Sequence, residues 1–279
     1  MTKPTLIRNA KLIDPAKNKV ETGAILFTDK ILDIGAVTSA PNGAEIIDAD
    51  GAHVAPGLID MRVTIGEPGA EHKETFKSAG RAAAAGGVTT MVMMPHTTPV
   101  LDDQSLIDFV LRRGVDRSGG VHILPAAALT KHLDGELMTE IGLMAEAGAA
   151  YFTNGDKPIT SSRVLRRALS YASAFDALIA HRPEDPYLAE GGVMHEGELA
   201  ARLGLPGIPA AAEAIMAERD LTRRACPGMT KSKTTRWIRR RRSPAGAGSG
   251  ALNSPAARHK SLASCSIKSN ATKSFYSTH

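Results

Sequence analysis

Cysteine is absent from the first 222 residues of this 279-residue chain, because Cys226 and Cys265 both lie beyond them. A disulfide framework and a thiolate metal site are therefore excluded from that part. The chain also has no apolar run of about 18 residues or more, the length that a membrane helix needs. Its N-terminus, MTKPTLIRNAKLIDP, has no signal-peptide core. These absences lead us to expect a cytoplasmic protein without membrane association.

Acidic residues are absent from residues 223–279, which contain 13 lysines and arginines. Residues 1–222 hold 21 basic and 29 acidic residues, a net charge of −8 that the whole-chain value of +5 conceals. A mildly acidic body therefore carries a basic tail. The length and a hydrophobic content of 43% suffice for one large domain or two small ones.

The basic tail has neither helix nor strand periodicity and few large apolar residues, so we expect residues 223–279 to be disordered. The composition changes abruptly at Leu221–Arg224, within a predicted helix, and we favour an aberrant or out-of-frame C-terminus. Two alternatives stay open. Trp237 and Arg239–Arg242 could form a basic arm for nucleic acid, although no nucleic-acid-binding fold motif supports that partner. The tail could also be a targeting element.

Residues 5–54 carry the alternating pattern of short strands, interrupted by turn signals at Asp14-Pro15, Asp29-Lys30 and Asn42-Gly43. They predict a small N-terminal β segment over residues 1–55. From Pro56 the pattern changes to strands alternating with helices, which is typical of βα units in a parallel sheet.

We predict five such strands, over residues 57–63, 88–94, 121–129, 149–153 and 177–181. The predicted helices cover residues 71–85, 103–113, 135–147, 161–175, 196–203 and 209–224, with Ser161 or Ser162 as one N-cap. A closed (β/α)₈ barrel needs about 250 residues, and only five strands precede the tail. The predicted fold class is therefore α/β, with an incomplete (β/α)₈ TIM barrel of about five strands over residues 56–222.

The stretch Gly57–Gly69 reads GLIDMRVTIGEPG, an apolar run that begins and ends at Pro-Gly pairs. It predicts a buried strand followed by a loop, and such strand ends carry the chemistry of α/β barrels. Further segments have distinctive patterns: EPG at 67–69, KET at 73–75, RAAAAGGVTT at 81–90, MPHTTP at 94–99, GGVMHEGE at 191–198 and RLGLPGIP at 202–209. Over residues 5 to 222 the chain resembles the dihydroorotases of the amidohydrolase superfamily.

The resemblance implies a β-sandwich segment before the barrel and a role in pyrimidine biosynthesis. The family reaction is the reversible cyclisation of carbamoyl aspartate to dihydroorotate, with zinc as the cofactor. The implied ligands are a His-x-His pair on strand one, a carboxylate after strand four, and histidines at the ends of strands five and six. A strand-eight aspartate is the implied acid/base. Strands six and eight have no counterpart here.

The matching positions of this chain depart from that pattern. Arg62 and Thr64 replace the two strand-one histidines, and a guanidinium has no lone pair for a metal. Gly66 stands at the position of the substrate-carboxylate arginine. The other positions are Asn154 for the strand-four carboxylate, with Asp156 two residues on, His181 for the strand-five histidine, and His96 for the substrate-binding asparagine.

The candidate metal ligands are therefore His181 and Asp156, the candidate substrate-binding residue is His96, and no catalytic residue is assigned. We expect a catalytically impaired chain that does not hold zinc. His181 alone is better explained as a hydrogen-bonded strand-end residue. A substitute metal site that adds His96 and His195 lacks any supporting spacing.

Several functional hypotheses remain open at this stage. One is a non-catalytic partner of aspartate transcarbamoylase, and another is nucleic-acid binding through the tail. A third is an active dihydroorotase with unusual ligands, completed by another subunit of a homo-oligomer. A fourth is a truncated product without function.

Overall fold

The computed structural model describes residues 3–37, 39–224 and 265–268, and these fall into two compact units. The first unit includes the chain up to Ile59 together with Ala83–Thr89 and the described residues 265–268. The second unit includes Asp60–Ala82 and the described chain from Thr90 onward.

The first unit is built on one sheet. Its strands are β1 (Thr5–Asp14), β2 (Lys19–Phe27), β3 (Ile31–Gly35), β4 (Glu45–Asp48), β5 (His53–Pro56) and β12 (Cys265–Lys268). The strand order is β12-β5-β1-β2-β3, and β4 also pairs with β1. The apolar residues Ile7, Ile25 and Val54 form its core. The strands expected between residues 5 and 54 are thus confirmed, with turns at the expected places.

Strand β12 pairs antiparallel with β5 and lies within the tail that we expected to be disordered. For these four residues the expectation of disorder is wrong. Residues 225–264 and 269–279 lie outside the described residues, and so does the rest of that prediction. The expected boundary after residue 222 also falls inside helix α7, which continues to Arg224.

The βα units belong mainly to the second unit. The sheet order is β6-β7-β8-β9, formed by β6 (Leu58–Val63), β7 (Val88–Met93), β8 (His122–Ala128) and β9 (Tyr151–Thr153), and β7, β8 and β9 pair in parallel. The helices are α1 (Phe76–Ala85), α2 (Gln104–Arg117), α3 (Ile141–Ala147), α4 (Ser162–Ser173), α5 (Pro186–Ala189), α6 (Glu198–Leu203) and α7 (Ala211–Arg224). Short strands β10 (Met194–His195) and β11 (Gly207–Ile208) form a separate parallel pair. The mixed α/β class is confirmed.

The expected fifth strand is reduced to a single parallel bridge between Phe152 and Ile179. Phe152 donates its N–H to the Leu178 carbonyl, and its own carbonyl accepts the N–H of Ala180. Only one residue of this segment therefore bridges to β9. The described residues contain four strands of this sheet and one bridge, rather than about five strands. None of the described helices is long and apolar enough to cross a membrane.

Two helices begin later than predicted because polar contacts set their first turns. Thr75 and Ser78 exchange hydrogen bonds between each hydroxyl and the other residue's N–H, as in a capping box, so α1 starts at Phe76 rather than residue 71. Before α3, Met138 forms a bridge with Thr130, which keeps residues before Ile141 out of the helix. Other ends match the prediction: Ser161 caps α4 through Val164 N–H, and Gly148 ends α3 at a φ of 108°.

Helix α2 offers a test of capping. The Asp103 side chain accepts hydrogen bonds from the hydroxyl and the N–H of Ser105, and these hold the pKa of the Asp103 carboxyl below its ordinary value. A lowered pKa means that the stabilisation is complete above the ordinary value of 3.8 and is lost as the pH falls through the lowered one.

We predict that Asp103→Ala lowers the free energy of unfolding at neutral pH by about 1 kcal/mol, the usual cost of losing an N-cap. Asp103→Asn, the matched control, keeps an acceptor and should cost less while losing the acid dependence contributed by this carboxyl. Urea unfolding of the full chain at several pH values measures both. Equal losses for alanine and asparagine would contradict the capping role.

Candidate functional site

Polar side chains of the second unit gather where its parallel strands end. Arg62 and Thr64 lie at the end of β6, His96 follows β7, and Asn154 and Asp156 follow β9. The carboxyl ends of parallel strands meet at one edge of a sheet, which is where barrels of this class hold their active sites. This edge is therefore the candidate functional site.

The Arg62 guanidinium forms an ion pair with the Asp156 carboxylate. Arg182 approaches the same carboxylate oxygen, with Nη1 3.6 Å from Asp156 Oδ1, while its Nη2 lies 2.8 Å from Glu184 Oε2. More than half of the Arg62 and Asp156 side chains is exposed, and such pairs contribute only about 0–1 kcal/mol. The pair therefore matters for metal binding rather than for stability, because Asp156, a predicted metal ligand, already has two cationic neighbours.

Thr64 and His96 form the second contact between strand ends, with 3.1 Å between Thr64 Oγ1 and His96 Nε2. The His96 ring also lies beside Gly155, where an added Cβ would come within 3.2 Å of His96 Nδ1. The predicted substrate-binding histidine is thus exposed at this edge, next to the residue that replaces a family histidine. A substrate role for His96 remains a prediction.

Asn154 is buried and makes two hydrogen bonds to Thr130. Its Nδ2 donates to Thr130 Oγ1 at 2.7 Å, and its Oδ1 accepts the Thr130 N–H at 3.1 Å. These two bonds join the end of β9 to the end of β8. Asn154, at the position of the family's carboxylate, therefore links two strands, and its amide oxygen is hydrogen-bonded to the backbone N–H of Thr130.

The side chain of His181 is mostly covered, with 8% of it exposed. Its Nε2 accepts the N–H of Ile159 at 2.9 Å, so the ring proton is on Nδ1, which lies 2.7 Å from Asp220 Oδ2. Neither nitrogen has a free lone pair. This arrangement matches the interpretation of His181 as a hydrogen-bonded strand-end residue.

The partner of His181, Asp220, lies on α7 and is also bound by Arg219, whose Nη2 is 2.8 Å from Asp220 Oδ1. Burial would raise the pKa of the Asp220 carboxyl, but the hydrogen bonds from His181 and Arg219 outweigh it and hold that pKa below its ordinary value. Asp220 therefore stays ionised and orients the imidazole. No local motif around Asp220 indicated this role.

Gly66 lies under the loop that follows β6. A Cβ at this position would come within 2.4 Å of the Ala70 carbonyl oxygen and 2.8 Å of the Glu74 carbonyl oxygen. Backbone carbonyl groups thus occupy the space beside Gly66, the position where the family pattern has a substrate-binding arginine. An arginine therefore could not enter here without rearrangement of the loop.

The residues at this edge do not fit a zinc ion. Zinc requires three or four lone-pair donors in tetrahedral array. Arg62 offers none, Asn154 faces Thr130, and His181 directs Nε2 at a backbone N–H. Among the described residues no three histidine, cysteine or acidic side chains are grouped so as to hold a metal, including the suggested combination with His96 and His195. We therefore assign no metal-binding role to His181 or Asp156.

Glu67 lies in the loop after β6 and is buried beside helix α1. Its Oε2 accepts the Phe76 N–H at 3.0 Å, and its Oε1 lies 3.2 Å from Arg113 Nε. Glu67 thus caps α1 and pairs with α2.

Arg182, which lies beside Asp156 and Glu184, was not predicted from the sequence as a site residue, although it directly follows His181.

Comparisons with known proteins agree with the geometry of the fold. The L-hydantoinase of Arthrobacter aurescens superposes with a TM-score of 0.64 at 22% identity, over 80% of this chain and 51% of that one. At this identity the likeness shows a shared fold alone.

Sequence comparison is more specific. The family model described as Dihydro-orotase-like matches residues 51–230. A dihydroorotase of Syntrophus aciditrophicus is 41% identical over 218 residues, and a dihydroorotase-like protein of Pseudomonas aeruginosa is 40% identical over 216. Each match covers 77% of this chain and 51% of the relative, so the chain spans about half the length of these relatives. The chain belongs to the dihydroorotase-like family of the amidohydrolase superfamily.

The close packing of the backbone around Gly66 can be tested directly. We predict that Gly66→Ala lowers the free energy of unfolding by about 1–3 kcal/mol, the range of overpacking costs, because the added Cβ meets two carbonyl oxygens. Gly197→Ala is the matched control, since its φ of 162° suits any residue and an added Cβ meets nothing within 4 Å. Urea unfolding compares the two. Similar losses of the free energy of unfolding in the two variants would show that a Cβ fits at position 66.

Proposed function

We propose that this chain is a dihydroorotase-like protein of pyrimidine biosynthesis that does not hydrolyse dihydroorotate. The Arg62–Asp156 ion pair is the observation that carries the proposal. It places a permanent positive charge where the family pattern has a metal-binding imidazole, and the charge is bound to the nearest carboxylate. A cytoplasmic location is part of the proposal.

The hydrogen bonds and backbone packing at the other positions support the same conclusion. Asn154 is bound to Thr130, His181 to Ile159 and Asp220, and the loop occupies the space above Gly66. Loss of the reaction therefore does not rest on one substitution. The strands β6, β7 and β9 that carry Arg62, His96 and Asp156 are present, which suits a chain retained for contacts rather than chemistry.

We predict that the purified chain binds no stoichiometric zinc and hydrolyses dihydroorotate no faster than the uncatalysed background. The double variant Arg62→His with Thr64→His should remain inactive, since Asn154 and His181 keep their present partners. Elemental analysis and an absorbance assay measure these quantities, with the Syntrophus aciditrophicus dihydroorotase as a positive control. Stoichiometric zinc with turnover abolished by a chelator and by His181→Ala would refute the proposal.

The second candidate function is that of a non-catalytic partner of aspartate transcarbamoylase. Such a role needs the family fold and no metal. We predict that the tagged chain co-purifies with aspartate transcarbamoylase from cells that express both, and that the Arg62→His, Thr64→His variant co-purifies equally well. Purification of the transferase free of this chain at physiological salt would contradict the partnership while leaving the loss of hydrolysis untouched. Nucleic-acid binding, the other alternative, falls mainly on residues outside the described part and is not proposed.

A further inference from the structure

Helix α4 has a buried side and an opposite side that is basic. Its buried residues recur at intervals of three and four, so they share one side of the helix: Leu165, Ala168 and Ala172. The exposed residues at similar intervals lie on the other side: Arg163, Arg166, Arg167 and Tyr171. The geometry of one helix therefore places these four side chains on a single surface, which we call the basic face of α4.

The positive charge of the basic face is not neutralised within the described part of the chain. Its three arginines are exposed and form no ion pair or hydrogen bond with another described side chain. Residues 157–175 contain four basic residues and no acidic one, although residues 1–222 as a whole have a net charge of −8. Like charges three or four residues apart slightly destabilise a helix. A partner that supplies negative charge would remove this repulsion.

An aromatic residue with a fixed position borders the arginines. Tyr171 lies four residues beyond Arg167 and is 38% exposed. Its ring packs edge-on against the Phe175 ring, with 5.1 Å between the ring centroids and 78° between the ring planes. The Phe175 ring in turn lies against Gly142 of α3, where an added Cβ would come within 2.7 Å of it. Tyr171 therefore offers a partner an aromatic surface whose position is already set by packing.

The residue types of the basic face match those of protein interfaces. Arginine binds carboxylates and phosphates through a planar fork of hydrogen-bond donors. Arginine and tyrosine are enriched where proteins contact one another, whereas lysine is depleted there. Helix α4 contains three arginines and no lysine. This composition favours a protein partner that carries carboxylates.

The size of the basic face distinguishes between anionic partners. Arg163 and Arg167 are four residues apart, about 6 Å along the helix axis. The affinity of a nucleic acid rises with the number of phosphates that are neutralised, and its long line of charge would also approach the acidic remainder of residues 1–222. An acidic segment of a protein can place two or three carboxylates on this short face and end there.

We propose that the basic face of α4 binds an acidic segment of a partner protein. The carboxylates of that segment pair with the three arginines, and one of its apolar side chains packs against Tyr171. Binding at this face is independent of the proposed loss of hydrolysis, because none of its four side chains lies at the candidate functional site.

A photo-crosslinking probe tests the proposal in the full-length chain. The probe is a synthetic peptide of repeated Glu-Glu-Leu units that carries a benzophenone group in place of one leucine. Mass spectrometry locates the crosslinks, which separates α4 from the basic residues 223–279 that also attract an acidic peptide. We expect crosslinks within residues 163–175 that unlabelled peptide competes away. Their yield should fall in 1 M salt, where charges are screened over about 3 Å.

The double variant Arg163→Glu with Arg167→Glu should lower the yield of α4 crosslinks about tenfold, because repulsion replaces two exposed ion pairs. Lys77→Glu with Arg81→Glu is the matched control, since it makes the same change of net charge at two exposed positions four residues apart on α1. The control should leave the yield unchanged. Circular dichroism and thermal unfolding check that both variants stay folded. If the α4 variant does not, Arg163→Gln with Arg167→Gln replaces it and should also lower the yield.

Three results would overturn the proposal. The first is the absence of competable crosslinks within residues 163–175 of the unaltered chain. The second is an equal loss of yield in the α4 variant and the α1 control. The third is competition by single-stranded DNA of random sequence that is as effective as competition by the unlabelled peptide at equal charge, because it would assign the basic face to nucleic acid.

Discussion

The parallel register of β7, β8 and β9 is the constraint on which the rest of the second unit depends. It brings the ends of these strands to one edge, so residues distant in sequence become neighbours there. Two contacts hold the arrangement. The Thr130–Asn154 pair joins the ends of β8 and β9, and the Tyr151 hydroxyl donates to the Met61 carbonyl at 2.7 Å, linking β9 to β6. The strand ends position Arg62, Thr64, His96, Asn154 and Asp156 in this way.

The polar side chains at this edge are paired with one another or with the backbone. A metal ion accepts lone pairs, whereas a guanidinium donates hydrogen bonds, so Arg62 pairs with Asp156 without any third component. His181 is likewise occupied on both nitrogens, by Asp220 and by the Ile159 N–H. The polar groups of the site therefore find their partners within the chain.

Much of the fold could be predicted from the sequence. The hydrophobic alternation located the strands of the first unit, and Ser161 and Gly148 marked helix ends correctly because capping depends on neighbouring backbone. The start of α1, the length of α3 and the reduced fifth strand were mispredicted. Each depends on a contact, such as the Thr75–Ser78 exchange or the single bridge at Ile179, that a hydrophobic pattern does not encode. The four-residue strand β12 was missed because its partner, β5, lies far away in sequence.

The sequence by itself determined the family, the class of fold and the absence of imidazoles at positions 62 and 64, because these follow from residue identity and order. Only the tertiary structure decided how those positions are used. That Asp156 pairs with Arg62, that His181 turns Nε2 toward a backbone N–H, and that the loop closes over Gly66 all depend on distances between residues far apart in the chain. The residue types permitted several arrangements at this edge, and packing with hydrogen bonding selected one in which His181 Nε2 and Asn154 Oδ1 each accept a backbone N–H.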